Sequence, residues 1–481
     1  MNPHGVVGQQ SLARRGLPKV SSMANYDLAI IGGGPGGYVA GIRAAQLGMK
    51  TVCIEREALG GVCLNWGCIP SKSLIHNADV LNTVNGAADY GIVTGRVTAD
   101  YAVALQRSRK IVERLTKGVA SLFKKYGVEH VEGQAKLVGP RTIAVGDERI
   151  EATNIIVATG ARPRPVPGIE IDGETVVTYR EAILQDTAPT NAVIIGGGAI
   201  GVEFGFVYNA YGANVTIVEA LPRIVPKEDD EVSSVLERSL RKRGINILTA
   251  SKVKQVEKTD SGVVVHVKTP DDDDVRIPAD RVLVSIGIMA NTEELGLEAA
   301  GVELENGFIK VDDQLKANGD GIYAIGDVTG KMPLAHVAQA QGVFVVETLA
   351  GEETYPIDYM AVPRATYSSP QVASMGLSER EAAEQGRNVK VGKFSFLANG
   401  KALTQDAYEG FAKVIVDEST GELLGAHLVG HEVTELLGEL SLTRLMEGTS
   451  AEVGAVINAH PTLSEAVKEA ALAAHGKAIH G

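Results

Sequence analysis

The chain has 481 residues, 44% of them hydrophobic and 22% charged, a globular profile too long for one hydrophobic core, so about three domains are expected. A net charge of −13 without a basic stripe argues against nucleic-acid binding. No apolar run long enough to span a membrane is present, and three cysteines are too few for a secreted disulfide framework, which points to a reducing, cytoplasmic setting.

Residues 1–22 carry Arg14, Arg15 and Lys19 and no acid, but they lack the apolar stretch of a secretory signal. Residues 1–23 are expected to be a disordered extension ending at Met23; an organelle transit peptide, with a matrix location, is the alternative. The first strand is predicted at Tyr26–Ile31 and runs into Gly32-x-Gly34-x-x-Gly37. A second strand, Thr51–Glu55, ends in an acid.

This unit recurs. Strand Ala192–Ile195 runs into Gly196-x-Gly198-x-x-Gly201, and Val215–Glu219 again ends in an acid, with 23 positions from first glycine to acid in both copies. Such glycines let the backbone approach a pyrophosphate at a helix N-terminus, and an acid about 20 residues on accepts ribose hydroxyls. One glycine fingerprint is weak evidence, whereas two with matching strand, helix and acid are strong.

Between the copies lies Gly60-Gly61-Val62-Cys63-Leu64-Asn65-Trp66-Gly67-Cys68-Ile69-Pro70-Ser71-Lys72. A dithiol beside a bound dinucleotide can exchange two electrons with it, so the first site is expected to hold a flavin as electron acceptor. The bland reading, a buried thiol pair or an ordinary disulfide, is weak because two of the three cysteines fall in this one loop. The second fingerprint is then the nicotinamide site. There Glu219 would bond a free 2′-hydroxyl and repel a 2′-phosphate, which favours NAD over NADP.

The remainder reads more coarsely. Residues 72–126 look helical, with an amphipathic stretch near 101–126, and 128–157 look like short strands. Residues 231–243 continue the nicotinamide unit. Residues 252–285 look like hairpins around Asp271–Asp274, a solvated acidic turn. From about 356 onward short strands such as Gly410–Val416 and Leu423–Val429 alternate with helices. Near the end, Ala459-His460-Pro461-Thr462-Leu463-Ser464-Glu465 sets a carboxylate five residues past a histidine, where it can orient the imidazole as a general base. No histidine shows metal-ligand spacing, and no metal is expected. Cys53, inside an apolar strand, reads as a buried small hydrophobe.

The cysteine segment closely resembles the redox-active motif of the pyridine nucleotide-disulfide oxidoreductases, most of all that of their dihydrolipoamide-oxidising members. Gly319 to Asp327 resembles the distal FAD motif of flavoprotein reductases, and Ala158-Thr159-Gly160 a short motif at the other end of the inserted nicotinamide domain. The resemblance spans residues 24–481. It implies an α/β fold with two Rossmann-like dinucleotide-binding domains, for FAD and NAD, plus an α+β C-terminal dimerisation domain. The implied division is 24–165 and 291–355 for the flavin domain, 166–290 for the NAD domain and 356–481 for the interface domain.

It further implies tightly bound FAD on Gly32, Gly34, Gly37, Glu55, Lys72, Ala135, Thr159, Gly160, Asp327 and Ala335. NAD would lie on Gly196, Gly198, Ile200, Gly201, Glu203, Glu219, Val253 and Gly287. In the family the lysine two residues past the redox-motif proline, here Lys72, pairs with the glutamate past the second fingerprint, here Glu203. Cys63 would be the interchange thiol, Cys68 the flavin-side thiol, and His460 with Glu465 the base. The expected reaction oxidises a protein-bound dihydrolipoyl group, with NAD⁺ as final acceptor. Expected partners are a second copy of the chain and the lipoyl domains and core acyltransferase of a 2-oxoacid dehydrogenase complex, or the lipoyl carrier of glycine cleavage.

Other readings are weaker. Mercuric-ion-reducing members bring a further cysteine pair near the C-terminus, and none follows Cys68; peroxide-reducing members use one redox cysteine. A glutathione-reducing member would carry arginines near Glu219. A redox-dead flavoprotein serving only as a binding subunit is disfavoured by Cys63, Cys68, His460 and Glu465 occurring together. One departure stands out: Ser285-Ile286-Gly287-Ile288-Met289-Ala290-Asn291 occupies a place where relatives often carry Arg and Pro, which puts the nicotinamide-side contacts of that loop in question.

Overall fold

A computed structural model describes residues 24–260 and 262–480, so the expectation for residues 1–23 falls outside the described residues. In chain order the first unit opens with β1 (Ala24–Ile31), α1 (Pro35–Gln46), β2 (Thr51–Glu55), α2 (Gly61–Asn65), α3 (Cys68–Asn85) and α4 (Tyr101–Tyr126). It continues with β3 (Glu129–Glu132), β4 (Ala135–Gly139), β5 (Thr142–Val145) and β6 (Glu148–Val157). Strand order is β3-β2-β1-β6-β5-β4. The β3-β2-β1-β6 portion is parallel. Leu28, Ala29 and Ile30 of β1 are all fully buried, as expected of a strand with structure on both faces.

Helical structure is not continuous over 72–126. α3 stops at Gly86, residues 91–100 form no helix, and Asp100 starts α4 by accepting a hydrogen bond from Val103 N at 3.2 Å. The periodicity was present on both sides of the break, but Gly86, Gly91 and Gly95 interrupt it. Gly91 takes a left-handed conformation, φ 72°. Nor are all the strands of 128–157 short: β6 has ten residues.

The second unit follows: β7 (Ala161–Pro163), β8 (Val176–Val177), α5 (Tyr179–Ala182), β9 (Asn191–Ile195), α6 (Ala199–Ala210), β10 (Asn214–Val218), α7 (Asp230–Lys242) and β11 (Asn246–Leu248). Then come β12 (Lys252–Thr259), β13 (Gly262–Lys268), β14 (Asp274–Ala279), β15 (Arg281–Val284) and β16 (Ile288–Ala290). The parallel sheet runs β11-β10-β9-β15-β8, and β12-β13-β14 form a separate antiparallel sheet. The hairpin reading of 252–285 therefore needs one correction: β15 leaves the hairpins and pairs in parallel with β9, Leu283 opposite Ile194. Three consecutive buried residues, Val282 to Val284, suit a two-sided parallel strand better than an alternating hairpin strand.

A short hairpin of β17 (Leu304–Glu305) and β18 (Phe308–Ile309) precedes β19 (Ile322–Ala324), which pairs in parallel with β6. The first sheet is thus completed by a strand that follows the entire second sheet. α8 (Ala335–Ala350) then crosses α1 so closely that a Cβ on Gly342 would lie 2.8 Å from the Gly36 carbonyl oxygen.

The last unit contains β20 (Arg364–Thr366), β21 (Gln371–Gly376), α9 (Glu379–Glu384), β22 (Val389–Ser395), α10 (Gly400–Thr404), β23 (Phe411–Asp417) and β24 (Leu423–Gly430). It closes with α11 (Leu437–Leu445), α12 (Ser450–Ala455) and α13 (Ser464–Ala473). Its antiparallel sheet, β20-β21-β24-β23-β22, is packed by α13, whose Ala466, Val467 and Ala470 are fully buried in one core with Val414 and Leu428. The whole is the expected α/β fold. No described helix is long and apolar enough to cross a membrane.

Both glycine loops depend on the absence of a side chain. A Cβ on Gly37 would fall 1.9 Å from the Gly32 oxygen, and one on Gly201 2.0 Å from the Gly196 oxygen, far inside van der Waals contact. Gly37→Ala should therefore purify with less than one flavin per chain, while Gly201→Ala should keep its flavin and bind NADH more weakly. Flavin absorbance per chain and NADH titration measure the two effects; full flavin occupancy in Gly37→Ala would overturn this account.

Candidate active site and cofactor sites

The two phosphate loops are built alike. α1 and α6 begin at Gly34 and Gly198 with no side chain capping either end, leaving backbone N–H groups free at the positive end of each helix dipole. Glu55 Oε2 accepts from Gly33 N at 2.7 Å and its Oε1 from Glu57 N at 2.8 Å. Glu219 repeats this, Oε2 with Gly197 N at 2.7 Å and Oε1 with Leu221 N at 2.8 Å. Each carboxylate is thus fixed at the loop while keeping lone pairs for ribose hydroxyls.

At the first loop the structure holds a cavity of about 380 Å³, bordered by Gly32, Glu55, Gly133, Ala135, Thr159 and Asn291, within the size range of small-molecule sites. Sequence reasoning missed Arg56, Gln134, Arg162 and Asn291 on its wall. Arg162 and Asn291 come together because β7 pairs with β16, Arg162 opposite Met289. Arg162 donates to Asn291 Oδ1 at 3.0 Å, and Asn291 Nδ2 to the Thr159 carbonyl at 2.9 Å. The only sequence signal was their position just after the Thr159-Gly160 and Gly287 segments. Asp327 lies after β19, and burial pushes its carboxyl up to about 6. A polar ribityl chain would give that buried carboxyl a partner, and Ala335 opens the uncapped α8 nearby. The residues present fit a bound FAD.

At the second loop Ser285 Oγ donates to the Gly196 carbonyl at 3.0 Å, and Gly287, φ 114°, continues from it. The Ile288-Met289-Ala290 departure forms β16. Its backbone is held by Arg164, which donates from its guanidinium to the Ile288 carbonyl at 3.1 Å and from its N–H to that of Gly287 at 3.0 Å. Val253 packs on the core under β9, and Ile200 sits in the first turn of α6. Glu203, on α6, bonds Lys72 of α3.

Cys63 and Cys68 lie at the two helices that follow the first loop, α2 and the start of α3. Both are free cysteines, close enough to act on one another. The Cys63 thiol, beside Cys68 and buried, is pushed up; Cys68, beside Cys63 and the Lys72 cation, is held below the ordinary thiol range. The pair is therefore polarised, with thiolate character on Cys68. Lys72 Nζ in turn donates to both oxygens of Glu203, at 3.0 and 2.9 Å, and stands 4.5 Å from the Tyr367 ring centre. Tyr367 N also donates to Glu203 Oε1 at 2.9 Å.

His460 and Glu465 meet at the start of α13. His460 Nδ1 lies 2.9 Å from Glu465 Oε1, while Thr462 N donates to Oε2 at 2.8 Å. Burial would raise the Glu465 carboxyl, but the Thr462 N–H and the His460 ring outweigh it and hold the group low. Among the described residues no hydrogen bond links this dyad to either cysteine; its bonds run between His460, Thr462 and Glu465. The charged side chains felt by the cysteine pair are Lys72 and Glu203, and the His460 side chain is 79% exposed. No cluster of metal-ligating side chains occurs among the described residues.

Comparison with known proteins agrees with this geometry. The family model described as pyridine nucleotide-disulphide oxidoreductase matches residues 26–342, and the dimerisation domain of the same family matches 362–471. The chain belongs to the pyridine nucleotide-disulphide oxidoreductases, and its cofactors are FAD and NAD(H). It is 46% identical to the dihydrolipoyl dehydrogenase of Rhizobium etli over 95% of this chain and 99% of that one. With the Bacillus subtilis dihydrolipoyl dehydrogenase the figures are 43%, 95% and 99%. Among solved structures, LpdA from Mycobacterium tuberculosis superposes with a TM-score of 0.85 at 28% identity, covering 92% of this chain and 98% of that one. The HOCl-induced flavoprotein disulfide reductase RclA of Escherichia coli gives 0.83 at 26%, covering 93% and 99%.

Cys63→Ser should retain flavin and gain a long-wavelength absorption band from an unpaired Cys68 thiolate, fading as acid protonates that thiolate. A spectrum without such a band at any pH would remove Cys68 from the flavin side. Replacing Glu219 with a small residue and adding an arginine nearby should raise NADPH use relative to NADH, since a like charge gives way to an opposite one; equal use of both by the unaltered enzyme would contradict the role of Glu219.

Proposed function

We propose that the enzyme oxidises protein-bound dihydrolipoyl groups to the lipoyl disulfide and reduces NAD⁺. The observation that carries this reading is the placement of Cys63 and Cys68 on α2 and at the start of α3, after the first phosphate loop, with Lys72 on the same α3 helix bonded to Glu203. The names of the relatives point the same way. A histidine base takes the proton of one dihydrolipoyl thiol, and the thiolate attacks Cys63 Sγ of the oxidised pair. The Cys63–Cys68 bond breaks and Cys68 leaves as a thiolate. The second substrate thiol then attacks the mixed disulfide, releasing the oxidised lipoyl group and leaving Cys63 reduced. Cys68 leaves readily because Lys72 stabilises its negative charge. Bound FAD supplies the two-electron acceptor for the dithiol and the hydride donor for NAD⁺.

The base for each cysteine pair is assigned to His460 of the partner subunit. Supporting this are the exposed His460 ring and exposed apolar side chains on the same unit. Ile457 is 94% exposed, Leu445 74% and Met446 72%, on the unit that matches the dimerisation domain. A two-fold interface would yield two composite sites. The carriers are lipoyl domains of a 2-oxoacid dehydrogenase complex or a glycine-cleavage carrier, acting in the cytoplasm.

A panel of lipoamide, glutathione disulfide and Hg²⁺ with NADH and NADPH tests the substrate; turnover confined to lipoamide with NADH is expected, and failure with lipoamide would defeat the reading. For the composite site, inactive Cys63→Ser chains mixed with inactive His460→Gln chains should recover lipoamide activity after subunit exchange, through hybrids that contain one intact site. Exchange demonstrated by mass spectrometry with no recovery would mean that each chain supplies its own base.

A further inference from the structure

The loop between the two cysteines carries the chain's single tryptophan, Trp66, and that ring is held from outside its own unit. Arg180, on α5 of the second unit, places its guanidinium carbon 4.1 Å from the Trp66 ring centre, well inside the roughly 6 Å at which a cation is drawn to an aromatic face. The guanidinium also forms an ion pair with Glu57, whose N–H donates to Glu55 Oε1 at 2.8 Å. Arg180 therefore ties together α5, the segment after β2 that is bonded to Glu55, and the redox loop. Its own base is firm. α5 starts with a capping box in which Glu181 Oε2 accepts from the Thr178 N–H at 2.8 Å, and Tyr179 and Trp66 pack against the same hydrophobic cluster.

Trp66 cannot move without disturbing the cysteines. Its backbone N–H donates to the Val62 carbonyl at 2.8 Å, one residue before Cys63. Gly67, between Trp66 and Cys68, lies so close to Cys63 that an added Cβ would stand 3.4 Å from the Cys63 Cα and 3.1 Å from the Val62 carbonyl oxygen. The loop is also tied from within the first unit. Arg109 donates to the Asn65 carbonyl at 2.6 Å, and Asn65 Nδ2 donates to the Leu59 and Gly61 carbonyls, each at 3.0 Å. Those bonds hold the backbone just before Trp66, and Arg180 holds the ring.

We propose that Arg180 is a positioning residue for the cysteine pair: acting through the Trp66 ring, it holds the loop so that Cys63 and Cys68 stay together as thiols, and thereby favours their disulfide. This rests on the reading of Cys63 and Cys68 as the redox pair. In the exchange concerned, a dihydrolipoyl dithiol and the Cys63–Cys68 disulfide give a lipoyl disulfide and two reduced cysteines, with two electrons and two protons passing between them. In the oxidised form the S–S bond itself restrains the loop. In the reduced form that restraint falls to the anchors. Loosening an anchor therefore gives conformational freedom mainly to the dithiol and shifts the equilibrium towards it.

The test equilibrates the holoenzyme, without NAD⁺, with dihydrolipoamide and lipoamide at fixed ratios and counts reduced cysteines by acid quench, alkylation and mass spectrometry. In Arg180→Gln the ratio of dithiol to disulfide should rise roughly threefold, the size of one half-exposed cation–π contact, which is about 14 mV for a two-electron couple. Glu57→Gln, which leaves Arg180 and Trp66 in place, should move the ratio the same way by less. Emission from Trp66, which reports this loop alone, should shift to longer wavelength in Arg180→Gln as the ring meets more water. In a Trp66→Leu background the same Arg180→Gln change should leave the ratio where Trp66→Leu sets it. An unaltered ratio in Arg180→Gln would overturn the inference. So would an equal rise in the Trp66→Leu background, which would mean that Arg180 acts on the sulfurs without the ring. Failure of Cys63 and Cys68 to gain thiols at any ratio in the unaltered enzyme would instead defeat the reading of them as the redox pair.

Discussion

The ion pair between Lys72 on α3 and Glu203 on α6 is the interaction on which the rest of the site depends. It joins the helix that begins at Cys68 to the helix that begins at the second phosphate loop. Tyr367 adds a third unit through its N–H to Glu203 and its ring beside Lys72. One end is buried and the other half-buried: the Glu203 side chain is 8% exposed and that of Lys72 34%. Exposed pairs contribute about 0–1 kcal/mol, and breaking a fully buried one costs about 3–5 kcal/mol, mostly from the stranded charge. Here the lysine can be reached by water but the carboxylate cannot, so the asymmetry favours retention of the lysine. That requirement also keeps a cation beside Cys68, and thus one contact serves both domain docking and thiol chemistry.

The core beneath the pair has the same three-way composition. Leu74, Ile75 and Ala78 of α3 share a hydrophobic cluster with Val202, Phe206 and Val207 of α6 and with Val372, Phe411 and Val429 of the last sheet. Apolar burial is non-directional; it holds the three units together without fixing the angle of the cysteine helix. Between the units the directional terms are the Lys72–Glu203 bonds and the Tyr367 N–H, and within the first unit Arg107 of α4 adds bonds to Ser73 and Asn77 of α3.

How much of this could be read in the sequence depended on the range of each interaction. The two phosphate loops were legible because glycines, helix start and acid lie within one βαβ unit, and the equal spacing reappears as matching carboxylate contacts at Glu55 and Glu219. The His460–Glu465 contact was legible for the same reason, five residues apart around a helix start. The pairing of β15 with β9 and of β19 with β6 was not set by local periodicity, since a short apolar run has the same appearance in a hairpin and in a parallel sheet. Arg162 and Asn291, about 130 positions apart, gave no local signal. Glu203 was placed beside Lys72 only through the family resemblance. From the residues alone it was a charge on a helix.

On the proposed reading of His460 as the base, the dyad at α13 faces a constraint that one chain alone does not meet. A general base must reach its proton, so its imidazole has to protrude; an imidazole that protrudes into bulk water has no reason to be oriented, and nothing excludes water from the reaction. The chain meets the first need by tying Nδ1 to Glu465 and fixing Glu465 with the Thr462 N–H, while the ring stays largely exposed. The second need is unmet within one chain, where the neighbouring Ile457 stands almost fully in solvent and the cysteine pair lies elsewhere. Covering that apolar rim with a second copy would desolvate the imidazole and strengthen its contact with Glu465. The same contact would bring a thiol pair within its reach, so exclusion of water and completion of the site would be one event.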